Sequence, residues 1–167
     1  GVVFYDRWPA EDGYKVINEY GRRDPSCKIM AMQGRLLYAF PQAFCRFLSD
    51  GSLVSGHWSG LSFYDPTGRR LWQHPMENLN HDLEISPDES EIFTLSLNRE
   101  MERKPQHFVY SFSRDGKPMF TWNSLDHMKD LKKVLGTDLT LNANAQGRYE
   151  FMHMNSVQPL PPNPFDA

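Results

Sequence analysis

Asp65-Pro66-Thr67-Gly68-Arg69-Arg70-Leu71-Trp72 sets a proline and a glycine two residues apart and then closes on an apolar pair ending in tryptophan. Proline presets φ at one corner of a turn and glycine supplies positive φ at another, so the stretch reads as a tight turn opening a strand. The same grammar occurs at Gln33-Gly34, followed by Tyr38 or Phe40, and at Arg114-Asp115-Gly116-Lys117, followed by Phe120 or Trp122. The three turn glycines lie 34 and then 48 residues apart, and the difference is assigned to inserted loop residues.

Outward from these turns the chain spells short strands. Towards the N-terminus these are Leu61 to Tyr64, Leu53 to Gly56, Ala43 to Leu48 beyond the turn Ser49-Asp50-Gly51-Ser52, a hairpin of Lys28 to Met32 with Arg35 to Phe40, Tyr14 to Asn18, and Val2 to Tyr5 beyond a turn at Glu11-Asp12-Gly13. Towards the C-terminus they are His81 to Ser86, Glu91 to Leu97 after Pro87-Asp88-Glu89-Ser90, Phe108 to Ser113, and Pro118 to Trp122. Repeats of roughly 40 to 50 residues, each with about four short strands and an outer aromatic, have the layout of β-propeller blades. A β-sandwich has turns as often but has no need of the recurrence. The expected class is therefore all-β, a partial β-propeller of about three blades in a single domain, 1–167, with one short helix inserted. That helix is read from Leu125, Met128, Leu131 and Val134, between a Ser124 N-cap and Gly136, with Lys129, Lys132 and Lys133 on its solvated face. Rings close with typically four to eight blades. The expectation is accordingly that the chain continues past Ala167, or that a second chain completes the ring.

Composition agrees with a packed β protein and narrows its partners. Aromatic residues make up 13% of the 167 residues, and the formal charge of −3 has both signs interspersed. This leaves no basic footprint for nucleic acid and no polybasic membrane patch. No apolar run reaches the length of a membrane span. Cys27 and Cys45 lack CxxC or zinc-ligand spacing and are expected to be small buried thiols.

Two polar stretches stand out. In Phe151-Met152-His153-Met154-Asn155-Ser156-Val157-Gln158-Pro159 an imidazole, a carboxamide and a hydroxyl fall within four residues; strand alternation sets His153 and Asn155 on one face and Met152 and Met154 on the other. A whole repeat earlier stands Asn80-His81-Asp82-Leu83-Glu84. His81, Asp82 and Glu84 alternate along a strand and offer no HExxH-like metal pattern, so no metal and no other cofactor is expected. His57, His74, His107 and His127 have turn or surface contexts and read as structural, and Trp58, Trp72 and Trp122 as packing.

Taken in order, Val3-Phe4-Tyr5-Asp6 with Asp12-Gly13-Tyr14, the turn Gly34 to Phe40, His81-Asp82-Leu83-Glu84 with Ser86-Pro87-Asp88, Phe112 to Trp122 with Asp126-His127, and His153-x-Asn155-Ser156-Val157 with Leu160-Pro161 resemble the arylsulfotransferase-like β-propeller family. The resemblance covers almost the whole chain. It implies a six-bladed ring whose funnel moves a sulfuryl group between phenolic compounds without a nucleotide, and an exported or periplasmic setting. It makes His81 and His153 the catalytic candidates, matching the family's first two motif histidines, with Asn155 and Asn80 as substrate-binding candidates. The family's arginine and nucleophilic histidine fall, by motif order, beyond Ala167, so residues 1–167 alone are expected to be inactive. Many members place two adjacent histidines where this chain has Asn80-His81, which puts substrate binding at that position in doubt.

Sulfuryl transfer from an aryl ester builds negative charge on the departing phenoxide, so a site for it needs a nucleophile, donors for the non-bridging oxygens and an acid for the leaving group. Imidazole attacks when neutral and donates a proton when charged, both near neutral pH. The partners implied are phenols and aryl sulfates. A reading of another class is a non-catalytic propeller used as an interaction platform for other protein subunits, because fold does not fix function.

Overall fold

In the computed structural model the described residues are 2–5, 14–19, 26–31, 33–40, 44–57, 59–76, 78–98, 106–136 and 154–160. Among them are strands β1 (Val2–Tyr5), β2 (Tyr14–Glu19), β3 (Ser26–Ala31), β4 (Leu36–Phe40), β5 (Phe44–Phe47), β6 (Leu53–His57), β7 (Gly60–Tyr64), β8 (Arg70–Pro75), β9 (Leu79–Ile85), β10 (Glu91–Asn98), β11 (Gln106–Ser113) and β12 (Pro118–Asn123), followed by helix α1 (Met128–Leu135). The strands form three four-stranded sheets, β1-β2-β3-β4, β5-β6-β7-β8 and β9-β10-β11-β12, each a meander in chain order. Every pairing is antiparallel, and none of the three sheets closes on itself. The turn expected at Glu11-Asp12-Gly13 lies outside the described residues.

The recurring glycines occupy one place in this pattern. Gly34, Gly68 and Gly116 sit in the hairpins β3–β4, β7–β8 and β11–β12, the last hairpin of each sheet, with φ of 84°, 83° and 88°. At the second of these, Gly68 N–H donates to Asp65 O and Asp65 N–H to Arg69 O, both at 2.9 Å; Ala31–Arg35 and Ser113–Lys117 repeat the two bonds. A side chain at Gly68 would be forced into the left-handed region. Each of these hairpins carries a register shift within its own ladder, at Ile29/Met30, Phe63/Tyr64 and Ser111/Phe112. The wider second spacing comes from the eight-residue strands β10 and β11 and the residues between them.

Burial falls across each of the second and third sheets. Neighbouring residues in β6, β7 and β10 are buried on both faces, whereas β8 and β12 are mostly exposed. Leu71 on β8 and Met119 and Phe120 on β12 are about half exposed. A strand covered on both faces reads as a near-continuous apolar run, and one at a wet edge does not. In the second sheet Phe63 and Trp72, opposite one another on β7 and β8, stack with ring centroids 5.4 Å apart.

The chain divides into two compact units, Gly1–Pro75 and Met76–Ala167. In the first, β5 lies against β2 and β3. Here the expectation of two thiols is corrected: Cys27 on β3 and Cys45 on β5, both fully buried, form a disulfide. They belong to one buried cluster with Leu53, against which Phe47 and Tyr64 pack. Closing a loop of this length removes unfolded-state freedom amounting to about 3 kcal/mol in the chain-entropy account. The second unit buries Leu79, Leu83, Ile85, Ile92, Leu95, Leu97 and Phe112.

The helix also departs from expectation at its start. Residues 124–127 form turns, α1 begins at Met128, and His127 holds the N-cap position without a side-chain cap bond. Ser124 is buried because its hydroxyl accepts His107 N–H at 3.1 Å while its own N–H donates to His107 O at 2.9 Å, which secures the start of β11. A hydroxyl engaged there is not free to cap a helix. The C-terminal expectation is met: Gly136, at φ 64°, donates its N–H to Lys132 O.

Candidate functional site

Strand β9 carries the Asn80-His81-Asp82-Leu83-Glu84 motif inside the second unit. The side chains of Asn80 and His81 lie outside the described residues. Asp82 is 5% exposed, and its two carboxylate oxygens face different partners: Oδ1 accepts Leu83 N–H and Oδ2 accepts Val157 N–H, each at 3.0 Å. Its carbonyl accepts the Thr94 hydroxyl from β10 at 3.0 Å. Glu84, half-buried, accepts Ile85 N–H through Oε1 at 3.2 Å.

The Val157 bond spans 75 residues of sequence and joins the two polar stretches that sequence reading singled out. The second does not take the expected form. Residues 154–160 contain no strand pairing, and Asn155, Ser156 and Gln158 are exposed while Met154 and Val157 are half-buried. Pro159 lacks an N–H to give a ladder, and the Val157 N–H is directed to a carboxylate instead. His153 lies outside the described residues, so of the expected His153/Asn155 face only the exposed Asn155 is described.

The turn that ends β9 is held by side chains. Ser86 hydroxyl donates to Asp88 Oδ1 at 2.6 Å and accepts Glu91 N–H at 2.9 Å, while Ser90 donates to Asp88 through both its N–H and its hydroxyl. Donation by the Ser86 hydroxyl first, and then by the Ser90 hydroxyl and N–H, holds the Asp88 carboxyl down to about 2 from an ordinary 3.8. The Thr67 hydroxyl lowers Asp65 in the β7–β8 turn, and the Ser113 hydroxyl lowers Asp115 in the β11–β12 turn. A depressed folded-state pKa contributes stability above the unfolded value, and that contribution is lost as pH falls through the folded value. For Asp88 the window runs from about pH 4 down to about 2. Asp88→Asn is therefore expected to flatten the fall in urea midpoint across that window and to leave its slope above pH 5 unchanged, which urea titrations at stepped pH will read.

Among the described residues no group of three or more His, Cys, Asp or Glu side chains gathers to hold a metal ion, and no helix is long and apolar enough to cross a membrane. The other histidines divide. His57 Nδ1 meets Ser59 Oγ at 3.1 Å, His74 lies beside Trp72, and His127 stacks on Trp122 at 5.1 Å. His107 departs from its expected turn or surface context: it is 2% exposed at the start of β11.

Two residues escaped sequence reading. Arg46, at 4% exposure, sits on β5 among Phe44, Cys45 and Phe47, and a cation inside so apolar a strand was the available signal. Asp82 was weighed only as a metal ligand; buried beside Leu83, its carboxylate serves as a hydrogen-bond acceptor instead.

No family model and no curated protein matches the chain. Solved structures do. The crystal structure of the eukaryotic initiation factor aligns at a TM-score of 0.50 and 15% identity, over 73% of this chain and 31% of that one. A protein of unknown function from Bacteroides caccae aligns at 0.51 and 11% identity, over 66% of this chain and 41% of that one. The chain thus spans less than half the length of either, and at such identities the likeness is one of fold.

Proposed function

We propose that the three sheets are blades of a β-propeller and that the chain forms part of an arylsulfotransferase-like protein, which transfers a sulfuryl group between phenolic compounds without a nucleotide. The observation that carries this reading is the Asp82–Val157 hydrogen bond, because it joins the two motif stretches on which the resemblance to that family rests. The buried-to-exposed order of strands across the second and third sheets supports the blade assignment, since a blade runs from a covered inner strand to a wet outer one.

In this reading His81 and His153 donate to the non-bridging sulfuryl oxygens or protonate the departing phenoxide, and Asn155 and Asn80 orient the substrate. The nucleophilic histidine and the arginine belong to blades outside residues 1–167. The test is an assay of the natural full-length protein with an aryl sulfate donor and a phenol acceptor. The expected outcome is a sulfated acceptor, and a fall of about 100-fold or more in kcat for His153→Ala, as for loss of one transition-state donor. An unchanged rate would remove His153 from the site, and free sulfate released without acceptor would make the protein a hydrolase.

The departure at Asn80 favours a second reading, a non-catalytic propeller that serves as an interaction platform. Folded full-length protein that neither transfers nor releases sulfate would support it over the first.

A further inference from the structure

We infer that Thr94 is a positioning residue for the proposed sulfuryl transfer: from β10 its hydroxyl holds a bulge in β9 at Asn80-His81-Asp82, and so sets the backbone that carries the candidates Asn80 and His81. This role rests on the arylsulfotransferase-like reading, because it needs a reaction to position. The bulge lies in the register of the two strands. Leu83 stands opposite Thr94 and Leu79 opposite Ser96, so four residues of advance along β9 face two along β10. The motif is what does not fit the ladder. On its far side the strands meet again, with Leu97 N–H donating to Asn78 O at 3.1 Å and Asn78 in the left-handed region at φ 53°.

Extra residues interrupt a ladder, and the buried backbone groups among them need other partners. Side chains supply two of these. The Thr94 hydroxyl donates to the Asp82 carbonyl at 3.0 Å, and Leu83 N–H donates to Asp82 Oδ1 at 3.0 Å. Thr94 is fully buried in a strand that also buries Ile92, Leu95 and Leu97, where a hydroxyl without a partner would be costly. Its bond to Asp82 is what valine could not provide. Bulges re-aim side chains and concentrate beside active sites, and this one falls on the three residues that include a catalytic candidate. Through Asp82 Oδ2 and Val157 N–H the second motif stretch is tied to the same bulge, so a shift at residue 82 reaches both stretches.

The test is steady-state kinetics of the natural full-length protein, with an aryl sulfate donor and a phenol acceptor, on wild type, Thr94→Val and Thr94→Ser. Thr94→Val is expected to lower kcat about tenfold or more with KM within about twofold, since a misplacement of about 1 Å can cost about 100-fold in rate. Thr94→Ser keeps the hydroxyl and should keep the wild-type kcat. Amide exchange in the peptide 79–85, read by mass spectrometry, should rise in Thr94→Val and not in Thr94→Ser. A folded Thr94→Val protein with wild-type kcat, an equal loss in Thr94→Ser, or unchanged exchange in 79–85 would overturn the positioning role and leave the sulfuryl-transfer reading standing. A wild-type protein that transfers no sulfuryl group would overturn that reading and this role with it. If Thr94→Val does not accumulate, Thr94→Ala, which also lacks the hydroxyl and adds no bulk, takes its place with the same expectations.

Discussion

Gly60→Ala is expected to destabilise the first unit by roughly 2–6 kcal/mol, the largest effect of any single substitution considered for this chain. Gly60 opens β7 opposite Pro75, at φ 154°, in a region that residues with a side chain rarely adopt. A methyl group there would also run into the backbone of β8: it would overlap the His74 carbonyl oxygen and lie 3.3 Å from both the His74 carbonyl carbon and Pro75 Cα. Backbone cannot turn aside as a flexible side-chain end can, so the β7–β8 ladder must part where it starts. Strain and overpacking each contribute about 1–3 kcal/mol. Urea unfolding followed at Trp72, which stacks on Phe63 across the same pair of strands, will read the loss as a lower midpoint. A midpoint within error of wild type would mean that β7 and β8 do not approach as described.

Much of the fold could be read from the chain because its determinants are local. A turn glycine fixes its turn by its own positive φ and by hydrogen bonds within five residues, and Gly34, Gly68 and Gly116 each fall in the last hairpin of a sheet. Strands joined by such turns have little choice but to pair in sequence, hence three meanders in chain order. What escaped depended on distant partners. Cys27 and Cys45 meet because two sheets pack side by side, and no spacing rule announces that. Ser124 has the chemistry of a helix cap, but its hydroxyl is drawn to His107 N–H seventeen residues away. The candidate site shows the same division. The two polar stretches could be singled out by residue type. Their join, through a buried carboxylate and a backbone N–H rather than a strand pairing, has no local signature.

That join supplies the second large effect. Asp82→Ala removes an acceptor from both Leu83 N–H and Val157 N–H within a buried strand. A hydrogen bond to a charged group contributes about 1.5–3 kcal/mol, and leaving a buried N–H without its acceptor adds a desolvation cost of similar order. A loss of roughly 2–4 kcal/mol is therefore expected for the second unit. Asp82→Asn keeps the shape but presents an NH₂ group to one of the two N–H donors, so it restores only part of the stability. Thr94 still donates to the residue-82 carbonyl in both variants, which keeps that tie between β10 and β9.

The most direct measurement is amide hydrogen exchange at Val157, by NMR, in the wild-type chain and in Asp82→Ala. Val157 N–H should be protected in the wild type, more slowly exchanging than the exposed Asn155 and Ser156 on either reference scale, and should exchange at their rate once Asp82 is alanine. A Val157 N–H that already exchanges as fast as Asn155 in the wild type, or that keeps its protection without the carboxylate, would contradict the joining of the two motif stretches.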